Sequence, residues 1–129
     1  MTAYNRPART IDSPRLRLAA IGILLVPALA LLALALGELS GGEASGVQHI
    51  PEAAVPLALA GVAWWRARPV GIFLLVVTPL LFVAWAAWVM FVREEEGNYS
   101  FLAWIAAAGV LFLPPLLAGW LLVRSSAAR

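Results

Sequence analysis

Cysteine and lysine are both absent from this 129-residue chain, while histidine and aspartate each occur once, as His49 and Asp12. Without cysteine the chain has no disulfide, no thiol nucleophile and no thiolate metal or iron–sulfur site. All nine basic residues are arginine. Together with abundant Ala, Leu, Gly and Val, this is typical of a bacterial gene of high GC content. The arginines are too few and too scattered to indicate nucleic-acid binding.

Charge of either sign is also scarce. Charged residues make up 12% of the chain, hydrophobic residues make up 63%, and the mean hydropathy is +0.90. A soluble domain of this length cannot bury so much apolar surface, so the composition predicts a lipid environment. The length leaves room for one compact domain beside the membrane spans.

Four apolar stretches predict four transmembrane helices. The predicted spans are 18–37, 51–67, 70–92 and 100–123, and 1–15 is a polar tail. Leu18 to Leu36 carries no charge and rises roughly 28 Å as a helix, which is enough to cross the hydrocarbon core. A cleaved signal peptide is the alternative for this stretch, but the apolar run exceeds the usual length. The second span rises only roughly 25 Å, so a re-entrant segment is its alternative.

The arginines predict the orientation. Those on one side of a four-span arrangement are Arg6, Arg9, Arg15, Arg17, Arg66, Arg68, Arg124 and Arg129, with only Arg93 on the other. Six of the seven acids fall on the side of Arg93. The positive-inside rule then places both termini and the central turn 64–69 in the cytoplasm. The predicted topology anchors are Arg15, Arg17, Trp64, Trp65, Arg66, Arg68 and Arg124. The sequence therefore predicts an all-α integral membrane protein, with four transmembrane helices in two antiparallel hairpins, in the bacterial plasma (inner) membrane.

Apart from Glu52 and Arg66 at the two ends of the second stretch, no ionisable residue falls inside the four apolar stretches. Such residues usually mark ion pathways and proton relays in membrane proteins, so their absence disfavours a proton-coupled antiporter or an intramembrane protease. The sequence predicts no catalytic residue, cofactor or metal, and no enzyme. The acids on the outer side, with His49, could instead bind a divalent cation. A solvated rim is the favoured interpretation, because these residues lack the spacing of a cation-binding loop: Glu38, Glu43, His49, Glu52 and Glu94 to Glu96.

Prolines and small residues are the remaining features of the spans. Prolines near mid-membrane, with one threonine, predict helix kinks or, alternatively, a gate lined by freed carbonyls: Pro27, Thr78, Pro79, Pro114 and Pro115. Two stripes of small residues predict faces for close helix contact, within the chain or between chains: Ala54, Ala58 and Gly61 in the second span, and Ala103 and Ala107 in the fourth.

Two weaker patterns have alternatives of their own. Pro56 and Pro114 are each followed by Ala-Gly and then by an arginine ten residues on, which is either a parallel repeat of the hairpin or a chance likeness. Trp85 and Trp88 share one helix face and could hold an apolar ligand. An interfacial belt is the favoured interpretation of these tryptophans.

The segment from Pro56 to Ile72, with Trp65-Arg66, a basic turn and Gly71-Ile72, resembles small four-span bacterial membrane proteins of unknown function. The resemblance covers about the last three spans and implies the fold but no chemistry. The sequence favours a non-enzymatic accessory or interaction subunit, whose partners are the bilayer and another membrane protein or itself. An oligomeric transporter or pore for an apolar or uncharged solute is the alternative.

Overall fold

The computed structural model describes residues 13–92 and 101–127. Within them the chain forms four α-helices and one 3₁₀ helix: α1 (Ser13–Ser40), the 3₁₀ helix (Ala44–Gln48), α2 (His49–Trp65), α3 (Ala67–Val92) and α4 (Phe101–Ala127). The all-helical prediction is confirmed for these residues. The predicted tail up to residue 12, the polar turn 93–100 with Arg93 and Glu94 to Glu96, and Arg129 lie outside the described residues.

Three of the helices are long and apolar enough to cross a membrane: Pro14–Ser40 in α1, Ala67–Phe91 in α3 and Phe101–Ala127 in α4. An apolar helix satisfies its own backbone hydrogen bonds, which is why such sequences are helical in lipid. α2 has 17 residues and is about 25 Å long. By length and composition the described residues therefore contain three candidate spans, one fewer than the sequence predicts.

The loop between α1 and α2 is shorter than predicted, because α1 continues to Ser40 before a glycine-based C-cap ends it. Gly42 has a positive φ of +83°, which favours glycine. Its N–H donates to the carbonyl of Leu39 at 3.1 Å, and the Glu43 N–H donates to the carbonyl of Glu38 at 2.9 Å. These two bonds form the Schellman motif. The chain then turns at once into the 3₁₀ helix and α2.

A single residue, Arg66, separates α2 from α3. Its backbone (φ −131°, ψ 63°) leaves the helical region, while its N–H still donates to the carbonyl of Val62 at 2.8 Å. Pro69 accounts for the break, because a proline in mid-helix removes a hydrogen bond and clashes with the preceding turn. After the break it lies in the first turn of α3, where its missing N–H costs nothing. The predicted central turn is thus reduced to one residue.

The core lies near Arg66. It is formed by Ala20 and Leu24 of α1, Ala60 and Ala63 of α2, Ala67, Val70 and Leu74 of α3, and Ala118 and Leu122 of α4. α1 packs against both α2 and α4, α4 also packs against α3, and α2 and α3 contact each other far less. The N-terminal parts of α1 and α3 therefore pack against the C-terminal parts of α2 and α4 in one hydrophobic cluster.

Two glycines bring α3 and α4 into close contact. A Cβ at Gly71 would lie 2.8 Å from the carbonyl oxygen of Gly119, and one at Gly119 would lie 3.0 Å from the carbonyl oxygen of Gly71. No larger side chain fits at either position without moving the backbone. Such close approach through small residues is a common way for helices to associate in membranes, where lipid removes most of the hydrophobic driving force.

Candidate functional site

A basic pocket lies at the end of the bundle where α2 passes into α3. It has a volume of about 280 Å³ and is lined by Arg17 of α1, the segment 65–69 and Ser126 of α4. Four of the predicted topology anchors therefore come together here: Arg17, Trp65, Arg66 and Arg68. Ser126 was not predicted, because the antiparallel hairpin brings the end of α4 to the start of α3 without indicating which side chain of α4 lines the pocket.

Arg17 connects α1 to the end of α2. Its Nη1 donates to the carbonyl oxygen of Trp64 at 3.1 Å. Its Nε is buried and has no hydrogen-bond partner among the described residues. Leaving a buried donor unpaired costs about 1–3 kcal/mol, more when the group is charged. The pocket therefore contains a cation whose hydrogen-bonding capacity is only partly used.

The other predicted anchors have different surroundings. The Arg124 guanidinium lies 4.8 Å from the centre of the Trp120 ring on the same helix, which is a cation–π contact. Trp64 contributes its carbonyl to Arg17, while its side chain is exposed. Arg15 is exposed. None of these three side chains lines the basic pocket.

A second polar cluster joins α1 to α2 away from the core. The His49 Nδ1 lies 2.9 Å from Oε2 of Glu52, and its Nε2 lies 3.4 Å from Oε1 of Glu38. The hydrogen bond to Glu52 raises the pKa of His49 above its ordinary value of 6.5, Glu38 raises it further, and desolvation opposes both. A protonated His49 can bridge the two helices by donating to one carboxylate on each.

The cation-binding alternative finds no support in residues 13–92 and 101–127. Within them no group of three or more His, Cys, Asp or Glu side chains is arranged to hold a metal ion. Glu43 stands apart from the Glu38–His49–Glu52 cluster and is exposed. The i,i+3 spacing of His49 and Glu52 was visible in the sequence, but the contact with Glu38 depends on how the loop folds.

The predicted prolines lie inside helices that continue through them. Pro27 and Pro115 are buried, Pro114 is half-buried and Pro79 is exposed, while Thr78 is only 5% exposed. Each proline lacks an N–H and so leaves a backbone carbonyl on the preceding turn without its usual partner. The gate interpretation stays a prediction.

The small-residue faces differ from the contacts that the chain makes. The buried face of α2 consists of Ala53, Ala60 and Ala63, whereas Ala54, Ala58 and Gly61 are exposed. A Cβ at Gly61 would meet nothing within 4 Å. In α4, Ala103 is exposed and Ala107 half-buried, and the buried residues are Pro115, Ala118, Gly119, Leu122 and Ser125. Neither stripe forms the buried face of its helix among the described residues. That the stripes are faces for close helix contact stays a prediction.

Aromatic side chains fill the part of the α3–α4 contact that lies far from the core. The Trp85 ring is 5.1 Å from the Trp104 ring and 5.5 Å from the Phe112 ring, and Phe82 is 5.3 Å from Phe112, measured between centroids. Trp85 is therefore occupied by contacts within the chain. Trp88 is more exposed. The two tryptophans do not present the shared open face that an apolar ligand would need.

Comparison with protein-family models, with curated proteins and with solved structures finds no match. The resemblance to small four-span bacterial proteins stays a prediction.

Proposed function

We propose that this chain is a small four-span protein of the bacterial plasma membrane that acts as a non-enzymatic accessory subunit of a larger membrane complex. In this proposal α1 with α2 and α3 with α4 form two antiparallel hairpins, and both termini are cytoplasmic. The three long apolar helices support membrane insertion. The charge distribution supports the orientation, since arginines gather near the α2–α3 junction and acids near the α1–α2 loop.

The packing of α2 supports a fourth span. Its last turns lie in the same core as the first turns of α1 and α3, while its first residue, His49, contacts Glu38 near the end of α1. α2 thus runs back along α1 over most of its length. Its length of about 25 Å is less than the roughly 30 Å hydrocarbon core. Local thinning and interfacial side chains such as Trp64 and Trp65 can accommodate such a difference.

The observation that carries the accessory role is the unused stripe on α2. Ala54, Ala58 and Gly61 are exposed on the side away from the Ala53–Ala60–Ala63 face. Small residues on a lipid-facing surface let another helix approach closely enough for dispersion contacts and Cα–H hydrogen bonds. None of the residues that the structure describes fills the space beside Gly61. The stripe is suited to receive a helix of a second membrane protein.

Replacing Gly61 by leucine tests the role. Gly61→Leu should leave the fold intact, because a Cβ there meets nothing, and should block close approach by a partner helix. We expect the tagged wild-type protein, purified from its native membrane in mild detergent, to carry a stoichiometric second polypeptide in native mass spectrometry, and Gly61→Leu to lose it.

Gly22→Leu is the matched control, since Gly22 lies on α1 with equally open space, and it should keep the partner. Recovery of the protein without any second polypeptide would contradict the accessory role.

The alternative is an oligomeric transporter or pore for an apolar or uncharged solute. The buried Thr78, together with Pro27 and Pro115, favours it, because freed carbonyls and one hydroxyl supply polar groups inside an apolar bundle. A homo-oligomer in the same experiment would support this alternative. Solute flux in liposomes that is lost in Thr78→Val would then establish it.

A further inference from the structure

The basic pocket is lined by arginines that have no part in the accessory role or in the alternative transporter role. Its three charged side chains are arginines, and they come from two separate parts of the chain: Arg17 from α1, and Arg66 and Arg68 from the α2–α3 junction. No acidic residue in 13–92 or 101–127 lines it. Within the part of the chain that the structure describes, neither Arg66 nor Arg68 has a carboxylate partner. Three like charges around one concavity repel each other, and a bound anion relieves that repulsion.

Backbone geometry adds to the positive potential. Residues 67–69, which line the pocket, form the first turn of the 26-residue helix α3. The first N–H groups of a helix have no partner within it, and its N-terminus carries about half a positive charge. The N–H groups of Ala67 and Arg68 have no acceptor among the described residues. They supplement the guanidinium groups as donors.

The hydroxyl of Ser126 is already engaged as a donor within α4, which limits the groups that can bind a ligand. Its Oγ donates to the backbone carbonyls of Leu122 and Val123, at 3.2 and 2.7 Å. The donors left for a ligand are therefore guanidinium and amide N–H groups. Arginine guanidinium matches the oxygens of a phosphate group in pairs, with charge-assisted hydrogen bonds.

We propose that this pocket binds the phosphate group of an anionic phospholipid. The pocket lies where the apolar helices α1 and α3 begin and α4 ends, which is the level at which lipid phosphates meet a transmembrane bundle. Trp65, which lines the pocket and is 84% exposed, is the type of side chain that lies among headgroups. These observations favour a lipid over free phosphate as the source of the anion.

Native mass spectrometry of the full-length protein tests the proposal. The protein is released from membranes containing equal amounts of phosphatidylglycerol and phosphatidylcholine, and the bound lipids are counted. Wild-type protein should retain phosphatidylglycerol in preference to phosphatidylcholine. Arg66→Gln with Arg68→Gln should weaken that retention by at least about tenfold, because charge-assisted hydrogen bonds are lost. Both side chains are exposed, so the fold should survive, and Arg68→Gln alone is a milder second variant.

Arg124→Gln is the matched control for the single variant Arg68→Gln. Each removes one positive charge from the same end of the bundle, but Arg124 stacks on Trp120 outside the pocket. Retention of phosphatidylglycerol by Arg124→Gln together with its loss in Arg68→Gln supports a site, whereas an equal loss in these two variants would show diffuse attraction and overturn the proposal. Equal retention of the two lipids by wild-type protein would overturn it as well.

Inorganic phosphate distinguishes the two sources of the anion. Added at millimolar concentration to the detergent-solubilised protein, it should not displace phosphatidylglycerol, because the acyl chains hold the lipid beside the pocket. Displacement by inorganic phosphate would show that the pocket recognises a phosphate group but would overturn the proposal that this group belongs to a lipid.

Discussion

His49 is the side chain whose charge changes near neutral pH, and it lies between carboxylates of α1 and α2. Its pKa is raised above 6.5, mainly by the hydrogen bond to Glu52. A folded-state pKa above the unfolded one means that the protonated form stabilises the folded protein. This contribution is complete below about pH 6.5 and is lost as the pH rises through the raised pKa.

We therefore expect the thermal stability of the detergent-solubilised protein to fall between mildly acidic and mildly alkaline pH. The effect should be below about 1 kcal/mol, because Glu52 is open to solvent and exposed ion pairs contribute little. His49→Gln should remove this part of the pH dependence. Glu43→Gln is the control, since Glu43 lies in the same loop outside the cluster. An unchanged pH profile in His49→Gln would show that another group is responsible.

Contacts between individual side chains are the feature of the structure that the sequence predicts least well. The His49–Glu52 pair follows from its spacing along a helix. The contacts of Glu38 with His49 and of Arg17 with the Trp64 carbonyl join residues far apart in sequence, and no local pattern indicates them. For Arg17, Arg66 and Arg68, the positive-inside rule predicts that they lie on one side of the membrane. It does not predict that they line one pocket.

At the scale of the helices, the apolar stretches predicted where helices form but not which faces they bury. An apolar run in lipid must be helical to satisfy its backbone. The inward face of a soluble helix is read from amphipathic periodicity, and helices that are apolar all round lack that signal. The sequence therefore indicates the small-residue stripe Ala54–Ala58–Gly61 but not the buried face, which consists of Ala53, Ala60 and Ala63. The ends of the helices differ from those of the predicted spans, because the Schellman motif at Gly42 and the break at Arg66 make both connections shorter than predicted.

The contact between α3 and α4 depends on two glycines, and enlarging either should separate the helices. Gly71→Ala or Gly119→Ala places a Cβ within 3.0 Å of a backbone oxygen on the opposite helix. Overpacking of this kind costs about 1–3 kcal/mol. The measurement is the midpoint of unfolding in a titration with sodium dodecyl sulfate.

Gly109→Ala is the matched control for this contact, because Gly109 lies on α4 with nothing within 4 Å of a Cβ. It should be neutral or slightly stabilising, since alanine favours the helix over glycine by up to about 1 kcal/mol. Equal midpoints for Gly71→Ala and Gly109→Ala would contradict the close approach of α3 and α4.

At the scale of the whole molecule, the two ends of the helix bundle differ in charge. Arginines and the alanine-rich core lie at one end, and the Glu38–His49–Glu52 cluster lies towards the other. The sequence predicted this polarity from its arginines. It also predicted that α2 returns along α1 as a hairpin, but the length of α2, 17 residues, left a re-entrant segment as the alternative. Both the accessory role and the lipid-phosphate pocket require that α2 cross the membrane.

Labelling of single cysteines in intact spheroplasts tests that crossing directly, and the chain offers a background free of native cysteine. Cysteine is introduced at Ser45 in the α1–α2 loop, at Trp65 in the last turn of α2, or at Ala127 at the end of α4, all of which are exposed. With a membrane-impermeant maleimide, we expect Ser45→Cys to be labelled from outside, and Trp65→Cys and Ala127→Cys only after permeabilisation. Labelling of Trp65→Cys from outside while Ala127→Cys stays protected would contradict the four-span account.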